Sequence, residues 1–360
     1  MIGRRTLLTA LALAPGAAVF ARRDAPVRRT SMYLAYTSFA VRMLQGRDIM
    51  KTTAAALGPD TFRQLCARFR ASGGQIDYSQ LPQQQPDALA AVRAAFAESG
   101  VELEVSIPSR YLESPEAYAQ AVTMARALGA TRARVALLSG RRYESFETKA
   151  AWEAFAAKWR MTLVRMRPEF DKHGLDIGIE NHKDWLAPEL AALLRAIDSP
   201  HVGACVDFGN NLALLEDPDE TIDVLAPYAV TTHLKDMAVR RTTDGFELSE
   251  VPLGEGLLPL ERYVAAIRRA RPTARLCLEM ITRDPLHVPY RTDRYWVPFA
   301  TAARDAARIR HFETGVLSRA WARPLPRITG RGAEAQVTAE DDNVRTSCMY
   351  ARDVLKLEAD

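Results

Sequence analysis

The fold of this chain is decided by four short stretches: LDIGIE (175–180), HVGACVDF (201–208), AVTTHLKD (229–236) and ARLCLEM (274–280). Each is an apolar run that we interpret as a buried strand, and stretches with helical periodicity separate the runs. Regular alternation of strands and helices predicts a parallel sheet. The carboxyl ends of the strands of a parallel barrel lie at one face, so the polar residues near the ends of these runs should lie close together.

The same alternation runs through the preceding part of the chain. There the predicted strands are 31–39, 75–81, 101–107 and 133–138, with helical patterns between them. Eight strand–helix units predict the α/β class and a closed (β/α)₈ TIM barrel with a C-terminal extension. An open doubly wound sheet is the alternative. Its glycine-rich turn after the first strand is missing, because Phe39-Ala40-Val41-Arg42 follows instead.

We expect the barrel to occupy residues 30–312 of the 360, and residues 313–360 to form a linker and a C-terminal helix. The segment 321–341 is rich in proline, glycine and charge, which is typical of linkers. The apolar residues of 343–357 predict the terminal helix. Earlier in the chain, 237–258 and 283–296 are predicted to be long loops, and 297–314 a closing helix.

The N-terminus predicts an export signal. Arg4-Arg5-Thr6-Leu7-Leu8 opens a modest apolar run, and Val19-Phe20-Ala21 fits a cleavage site. We therefore expect residues 1–21 to be a twin-arginine signal peptide and the mature protein to be periplasmic or secreted. The run is too short for a stable membrane span, and no later segment resembles one.

The composition indicates an ordinary globular protein. The chain is 48% apolar and 26% charged, with a formal net charge of +4 from 48 basic and 44 acidic residues. This excess is too small to indicate a nucleic-acid partner. The four cysteines are widely spaced and form no CxxC pair, so free, packed thiols are expected.

Three carboxylates and one imidazole lie at the ends of the four stretches quoted above: Glu180, Asp207, His233 and Glu279. Carboxylates this close together repel each other unless a cation lies among them. Oxygen-rich ligation with one imidazole suits Mn²⁺, Mg²⁺ or Co²⁺, and Zn²⁺ is a further option. The four residues therefore predict a site for one divalent metal ion, with Mn²⁺ as the first choice.

Three further polar residues are candidates near the same edge. His182 and Lys235 each follow a predicted ligand by two residues and share its face if the strand continues. Lys235 could polarise a carbonyl or stabilise an enolate, or it could be a salt-bridge partner. His182 could contact the substrate or support a ligand through a hydrogen bond. Asn210 follows Asp207 by three residues, and its amide could form a hydrogen bond with a substrate hydroxyl, but it cannot accept a proton at catalytic pH.

The stretches IGIENH, CVDFGNN, THLKD, VPLGEG and LCLEM resemble the xylose isomerase-like TIM-barrel family of sugar phosphate isomerases and epimerases. The resemblance covers about residues 30–312. It implies that Glu180 and Glu279 are both ligands and catalytic bases, and that Asp207 and His233 are ligands. Ketose 3-epimerases of the family have a histidine where this chain has Asn210, which argues against a simple ketose 3-epimerase.

The resemblance implies a divalent-metal-dependent sugar isomerase or epimerase of carbohydrate metabolism, which moves a proton next to a carbonyl through an enediolate. The alternative is a metal-dependent lyase or hydratase that acts on 3-oxo-glycosides or a related keto-sugar. A phosphodiesterase like endonuclease IV is a remote alternative, since those enzymes use more histidines and several metals. The expected partner is a small carbohydrate, with homo-oligomers possible and neutral sugars favoured over phosphorylated ones.

Overall fold

The computed structural model describes residues 32–45, 57–81 and 85–357. The predicted signal peptide at residues 1–21 lies outside these ranges. In these ranges the strands are β1 (Met32–Ala35), β2 (Gly73–Asp77), β3 (Glu102–Ser106), β4 (Arg132–Val135), β5 (Asp176–Glu180), β6 (Val202–Asp207), β7 (Ala229–Leu234), β8 (Asp236–Arg241), β9 (Phe246–Val251), β10 (Arg275–Leu278) and β11 (Leu286–Val288).

The helices alternate with the strands. They are α1 (Ala40–Gln45), α2 (Pro59–Arg68), α3 (Pro86–Glu98), α4 (Pro115–Ala127), α5 (Arg142–Ser145), α6 (Lys149–His173), α7 (Ala187–Ile197), α8 (Pro218–Leu225), α9 (Leu260–Ala270), α10 (Asp293–Trp296), α11 (Ala306–Gly315) and α12 (Ala333–Asp353).

Eight parallel strands close into a barrel in the order β1-β10-β7-β6-β5-β4-β3-β2. The predicted (β/α)₈ barrel is therefore confirmed, and closure of the sheet excludes the open doubly wound alternative. Apolar side chains such as Phe62 of α2 and Leu163 and Phe170 of α6 are buried in the core between the helices and the barrel. Because β5, β6, β7 and β10 are consecutive around the barrel, their carboxyl ends form one side of its mouth.

Gly73 and Gly74 are the first two residues of β2. A Cβ atom on Gly73 would overlap the ring of Tyr33, and one on Gly74 would lie 2.6 Å from the ring of Phe62. Close approach of these rings to the strand requires residues without a side chain. Gly73 and Gly74 are therefore required by the tight packing of these rings against β2.

The segment 237–258 was predicted to be a loop, and most of it is a β-hairpin. Strands β8 and β9 pair antiparallel, and β11 adds to β9 to complete a three-stranded sheet. The hairpin begins directly after Lys235, at the carboxyl end of β7. It therefore brings residues of β9 next to the mouth of the barrel.

The C-terminal extension is largely helical. Helix α12 begins at Ala333 and ends at Asp353, whereas the sequence predicted a linker up to residue 341. Glu340 is fully buried, and its carboxylate accepts hydrogen bonds from Arg42 (2.6 Å) and from the backbone N–H of Val41 (2.7 Å). A charged stretch resembles a linker in sequence, but here the ion pair holds the helix against the barrel.

One further segment differs from its prediction. The closing helix expected at 297–314 is a 3₁₀ turn at Thr301–Arg304 followed by α11, because Asp305 is extended and caps α11 through a hydrogen bond with the N–H of Arg308.

All four cysteines are buried and free, as expected. Among the helices of the described ranges, none is both long and apolar enough to cross a membrane.

Candidate metal centre

The structure brings together the four residues that the sequence singled out as ligands. Glu180 and Asp207 are the last residues of β5 and β6, His233 lies near the end of β7, and Glu279 directly follows β10. All four are buried, and one donor atom from each lies within 4.8 Å of the others. The strand register explains why these side chains lie together, because His233 on β7 pairs with both Asp207 on β6 and Cys277 on β10.

The imidazole of His233 has a defined orientation. Its Nδ1 lies 3.2 Å from Glu180 Oε1, 3.3 Å from Glu279 Oε2 and 3.7 Å from Asp207 Oδ2. Its Nε2 lies 2.9 Å from Gln75 Oε1. The amide of Gln75 is oriented in turn because its nitrogen donates to Glu104 Oε1 at 2.8 Å. A carbonyl oxygen can only accept, so Nε2 carries the proton and Nδ1 of a neutral ring presents its lone pair to the carboxylates.

Each carboxylate is held by the protein through one oxygen and faces the centre with the other. Glu180 Oε2 pairs with Arg134, and Glu279 Oε1 accepts from Thr37 at 2.7 Å. Asp207 Oδ1 accepts from two backbone N–H groups at 2.9 and 2.7 Å. The three remaining oxygens are those closest to His233 Nδ1. This arrangement leaves one oxygen of each carboxylate directed toward a shared point.

The donor set fits a divalent cation. Burial by itself would lower the pKa of His233, but the anionic groups around it, including Glu279 and Glu180, raise this pKa well above its ordinary range. Three oxygens and an imidazole lone pair around one point require a positive charge among them, whether a proton or a metal ion. The residues present therefore form a group able to hold a divalent metal ion, as histidine with carboxylates commonly does.

Both glutamates are held in the ionised form. Burial raises the pKa of Glu180, but the charges of Arg134 and His233 bring it well below its ordinary value. For Glu279, burial also raises the pKa, and His233 and Lys235 together lower it well below the usual range. Ionised carboxylates are the form in which these residues can bind a metal ion or accept a proton.

Lys235 lies inside the centre and also forms the salt bridges that the sequence left open. Its Nζ lies 2.5 Å from Glu279 Oε2 and 2.7 Å from Asp207 Oδ2. Burial would lower the pKa of Lys235, but these two carboxylates raise it above its ordinary value. The ammonium therefore stays charged and can stabilise negative charge that develops on a neighbouring oxygen.

His182 stands outside the ligand cluster. Its Nδ1 donates to the carbonyl oxygen of Leu138 at 2.9 Å, which leaves Nε2 as the acceptor of the neutral ring. Burial lowers the pKa of His182 to about 4, and this effect exceeds the opposing charge of Glu180. His182 is therefore neutral near pH 7, and its hydrogen bond to the loop after β4 fixes the ring beside the centre.

Asn210 is bound on all sides by protein groups. Its Nδ2 donates to Glu180 Oε1 at 3.0 Å, its backbone N–H donates to Asp207 Oδ1, and its Oδ1 accepts from Lys183. The sequence predicted a contact with a sugar hydroxyl. In the structure, the side chain positions a metal-ligand candidate and a buried lysine.

Several residues of the centre were missed by reasoning from the sequence: Gln75, Glu104, Arg134, Lys183, Glu250 and Arg283. Glu250 of β9 is buried and receives two hydrogen bonds from the Arg283 guanidinium, at 2.8 and 3.1 Å. The Lys235 ammonium lies 3.9 Å from the same carboxylate. Among these residues, Lys183 alone had a usable signal in the sequence, because it follows Glu180 by three residues. The contacts of Glu250 could not be predicted, because they depend on how the hairpin packs against the barrel.

The glycine-rich LGEG stretch wraps around a side chain. The backbone N–H groups of Gly254, Gly256 and Leu258 donate to the carboxylate of Asp236, at 3.0, 2.9 and 3.1 Å. These amides could have bound a phosphate, but a carboxylate of the protein already accepts from them. The stretch is thus a turn that is held by Asp236.

Comparisons with known proteins agree with this architecture. The family model described as xylose isomerase-like TIM barrel matches residues 53–307, more than half of the chain. A 3-oxo-isoapionate decarboxylase from Pectobacterium atrosepticum is 28% identical over 235 residues, which are 65% of this chain and 75% of the relative.

Two solved structures share the fold. A D-psicose 3-epimerase crystallised in the presence of D-fructose has a TM-score of 0.58 and 14% identity, and the match covers 90% of this chain and 99% of that one. A xylose isomerase-like TIM barrel protein from Mycobacterium smegmatis, in complex with magnesium, has a TM-score of 0.54 and 15% identity, with 76% and 97% covered.

These findings fit the class predicted from the sequence, a sugar isomerase or epimerase or a related keto-sugar enzyme. The ligand cluster fits a divalent metal ion without identifying the metal. Because the family model matches more than half of the chain, the chain belongs to the xylose isomerase-like TIM barrel family.

Proposed function

We propose that this chain is a divalent-metal-dependent isomerase or epimerase that moves a proton next to the carbonyl of a keto sugar through an enediolate. One observation carries the proposal. Glu180 and Glu279 are both buried and ionised, and each is anchored through one oxygen while the other faces the centre. Two positioned carboxylates at one buried point are what proton removal and return require.

The metal would be held by Glu180, Asp207, His233 and Glu279, and Mn²⁺ is the first candidate because the set is rich in oxygen with one imidazole. When bound, the ion would polarise the substrate carbonyl and stabilise negative charge on its oxygen. A hydrogen bond from His233 Nε2–H to Gln75 Oε1 and one from Asn210 Nδ2 to Glu180 Oε1 keep these ligands in place.

The two glutamates approach the centre from different sides. Glu180 belongs to β5 and Glu279 follows β10, and β6 and β7 lie between those strands in the barrel wall. A substrate bound at the centre would therefore have a carboxylate on each flank. One can take a proton from carbon while the other returns a proton on the opposite face. Lys235 would neutralise the charge of the enediolate oxygen from its position beside Glu279.

A lyase that cleaves a bond of a keto sugar is the second candidate. It is supported by the similarity to the 3-oxo-isoapionate decarboxylase, which matches 65% of this chain. It is also supported by Asn210, which cannot serve as a proton acceptor and whose amide is engaged with Glu180. Such a reaction would pass through the same enolate, with Lys235 in the same role.

Solvent exchange tests the proposal directly. Protein loaded with Mn²⁺ is incubated with ketoses, 3-oxo-glycosides and 3-oxo sugar acids in deuterated water, and loss of the C–H signal next to the carbonyl is followed by NMR. We expect exchange in the wild type and its loss in Glu180→Gln or Glu279→Gln.

Glu153→Gln is the matched control, because Glu153 is exposed on helix α6. Epimer formation supports the isomerase. Release of an aglycone or of carbon dioxide supports the lyase. If neither exchange nor product appears with any of these compounds, the proposed chemistry is wrong.

A further inference from the structure

Lys183 is a buried cation beside the metal centre with no assigned role. It follows β5 by three residues in a left-handed backbone conformation (φ 65°), which turns the chain back toward the mouth of the barrel. The side chain is 4% exposed, and its ammonium donates to Asn210 Oδ1. Since Asn210 in turn donates to Glu180, Lys183 lies one residue away from a metal-ligand candidate.

This lysine lacks the partner that comparable side chains have. In residues 32–45, 57–81 and 85–357, the buried lysines and arginines are Arg42, Arg142, Lys183 and Lys235. The other three contact a carboxylate: Arg42 at 2.6 Å, Arg142 at 2.7 Å and Lys235 at 2.5 Å. No carboxylate of the described ranges lies within 4.0 Å of the Lys183 ammonium.

A buried charge without a counter-ion is costly, and proteins keep such groups where they serve a function. Burial, and after it the charges of Lys235 and Arg283, lowers the pKa of Lys183 to about 8. An anion beside the ammonium would favour its charged form. An anion placed beside it would supply the missing partner.

The charges around the centre also favour an anion at this position. The carboxylates of Glu180, Asp207, Glu279 and Glu250 face the cations of Arg134, Lys235 and Arg283, and Lys183 supplies the fourth positive charge. Among these eight groups, which do not include the Glu104 carboxylate behind Gln75, positive and negative charges are equal in number. A divalent metal ion held by the ligand set would add two positive charges beside them. An anionic substrate would offset part of this charge, whereas an uncharged sugar would not.

We propose that Lys183 binds a carboxylate of the substrate, so that the substrate is a keto-sugar acid and not a neutral sugar. This inference rests on the proposed function, in that it takes the four-ligand centre as the place where a keto sugar is bound. A carboxylate suits a single ammonium. A phosphate is usually held by several donors, and the amides of the LGEG turn already donate to Asp236.

Calorimetry with two matched probes tests the inference without relying on turnover. D-ribonate and ribitol have the same carbon chain, but only ribonate carries a carboxylate. We expect protein loaded with Mn²⁺ to bind ribonate at least about 10-fold more tightly than ribitol, as for a hydrogen bond to a charged group. Equal affinity, tighter binding of ribitol or absence of ribonate binding would overturn the proposed substrate class. Tighter binding of ribitol 5-phosphate than of ribonate would overturn the choice of carboxylate.

Substitution of the lysine tests its part. Lys183→Gln retains a donor for Asn210 without the charge, and it should weaken ribonate binding about 10- to 100-fold while ribitol affinity stays unchanged. Lys183→Arg keeps the charge and should keep the preference for ribonate. Lys172→Gln is the matched control, because Lys172 is exposed on α6. A Lys183→Gln protein that still prefers ribonate to the wild-type extent would remove Lys183 from this role.

Different results would refute the metal-dependent function and the proposed substrate class. If the wild type takes up no Mn²⁺ in elemental analysis, the metal-dependent function is wrong. If it binds Mn²⁺ normally but does not prefer ribonate, the metal centre stands and the carboxylate is wrong. If Lys183→Gln does not fold, the comparison of ribonate with ribitol on the wild type still decides the substrate class.

Discussion

Gln75 is expected to control metal affinity although it is not a ligand. Its carbonyl oxygen accepts from His233 Nε2 at 2.9 Å, and its amide nitrogen donates to Glu104 Oε1 at 2.8 Å. Thr231 completes the chain through a hydrogen bond to the other oxygen of Glu104 at 3.1 Å. Gln75 and Glu104 are 3% and 2% exposed, so water cannot replace these contacts.

Gln75→Leu keeps a side chain of similar size that can neither donate nor accept. It would leave two buried groups without a partner, the Nε2–H of His233 and one oxygen of Glu104. At about 1–3 kcal/mol for each group, the free energy of unfolding should fall by about 2–6 kcal/mol. Free rotation of the imidazole should also weaken metal binding by about 10- to 100-fold, the usual effect of losing a hydrogen bond to a ligating histidine.

Two measurements check this prediction. Competition with a fluorescent chelator gives the Mn²⁺ affinity, and urea titration of the metal-free protein gives the free energy of unfolding. Gln64→Leu is the control, because Gln64 is exposed on α2 and donates to Asp60 on the same helix. Its metal affinity should equal that of the wild type.

An exchange of the two side chains makes the test sharper. In the double variant Gln75→Glu with Glu104→Gln, the carboxylate accepts from His233 and the amide donates to the carboxylate, so every hydrogen bond can form again. The double variant should therefore bind Mn²⁺ more tightly than either single variant. If Gln75→Leu binds Mn²⁺ as the wild type does, or if the exchange restores nothing, the hydrogen-bond chain does not orient His233.

Three further predictions concern the ligands, the turn and the export signal. Asp207→Asn keeps the hydrogen bonds of Oδ1 but removes a charge, so bound metal should fall to near zero while the far-UV circular dichroism is unchanged; full occupancy in elemental analysis would exclude Asp207 as a ligand. Gly256→Ala should lower the free energy of unfolding by about 1–3 kcal/mol, because its Cβ would overlap the Asp236 carboxylate, whereas Gly332→Ala meets open space and should change little in the same denaturation experiment. Replacement of Arg4 and Arg5 by lysines should retain the precursor in the cytoplasm, and recovery of the double variant from the periplasm by cell fractionation would contradict a twin-arginine signal.

Local patterns in the sequence were sufficient for the barrel and for the four ligand candidates. Strand and helix periodicities depend on which side of a segment is buried, and this can be read from neighbouring residues. The ends of the parallel strands must then lie together because closure of the barrel allows no other place for them. The sequence alone was therefore sufficient to group the four candidate ligands, Glu180, Asp207, His233 and Glu279.

Contacts between distant segments were not accessible in this way. Glu340 is buried because it meets Arg42, 298 positions earlier, and without that partner its segment has the composition of a linker. The hairpin from 236 to 251 alternates too briefly to be distinguished from a loop, yet it carries Glu250 to the centre. In both cases a charged residue is buried through a partner that no local pattern reveals.

The sequence by itself thus determined the architecture and the set of candidate ligands, which follow from periodicity and from the geometry of parallel strands. The tertiary structure alone decided how the centre is supported and charged. It joined Gln75 to His233 across the barrel, tied Asn210 to Glu180 and left Lys183 without a carboxylate. These features depend on side-chain directions and on a left-handed turn, which are set by packing of the whole molecule and not by the order of residues along one strand.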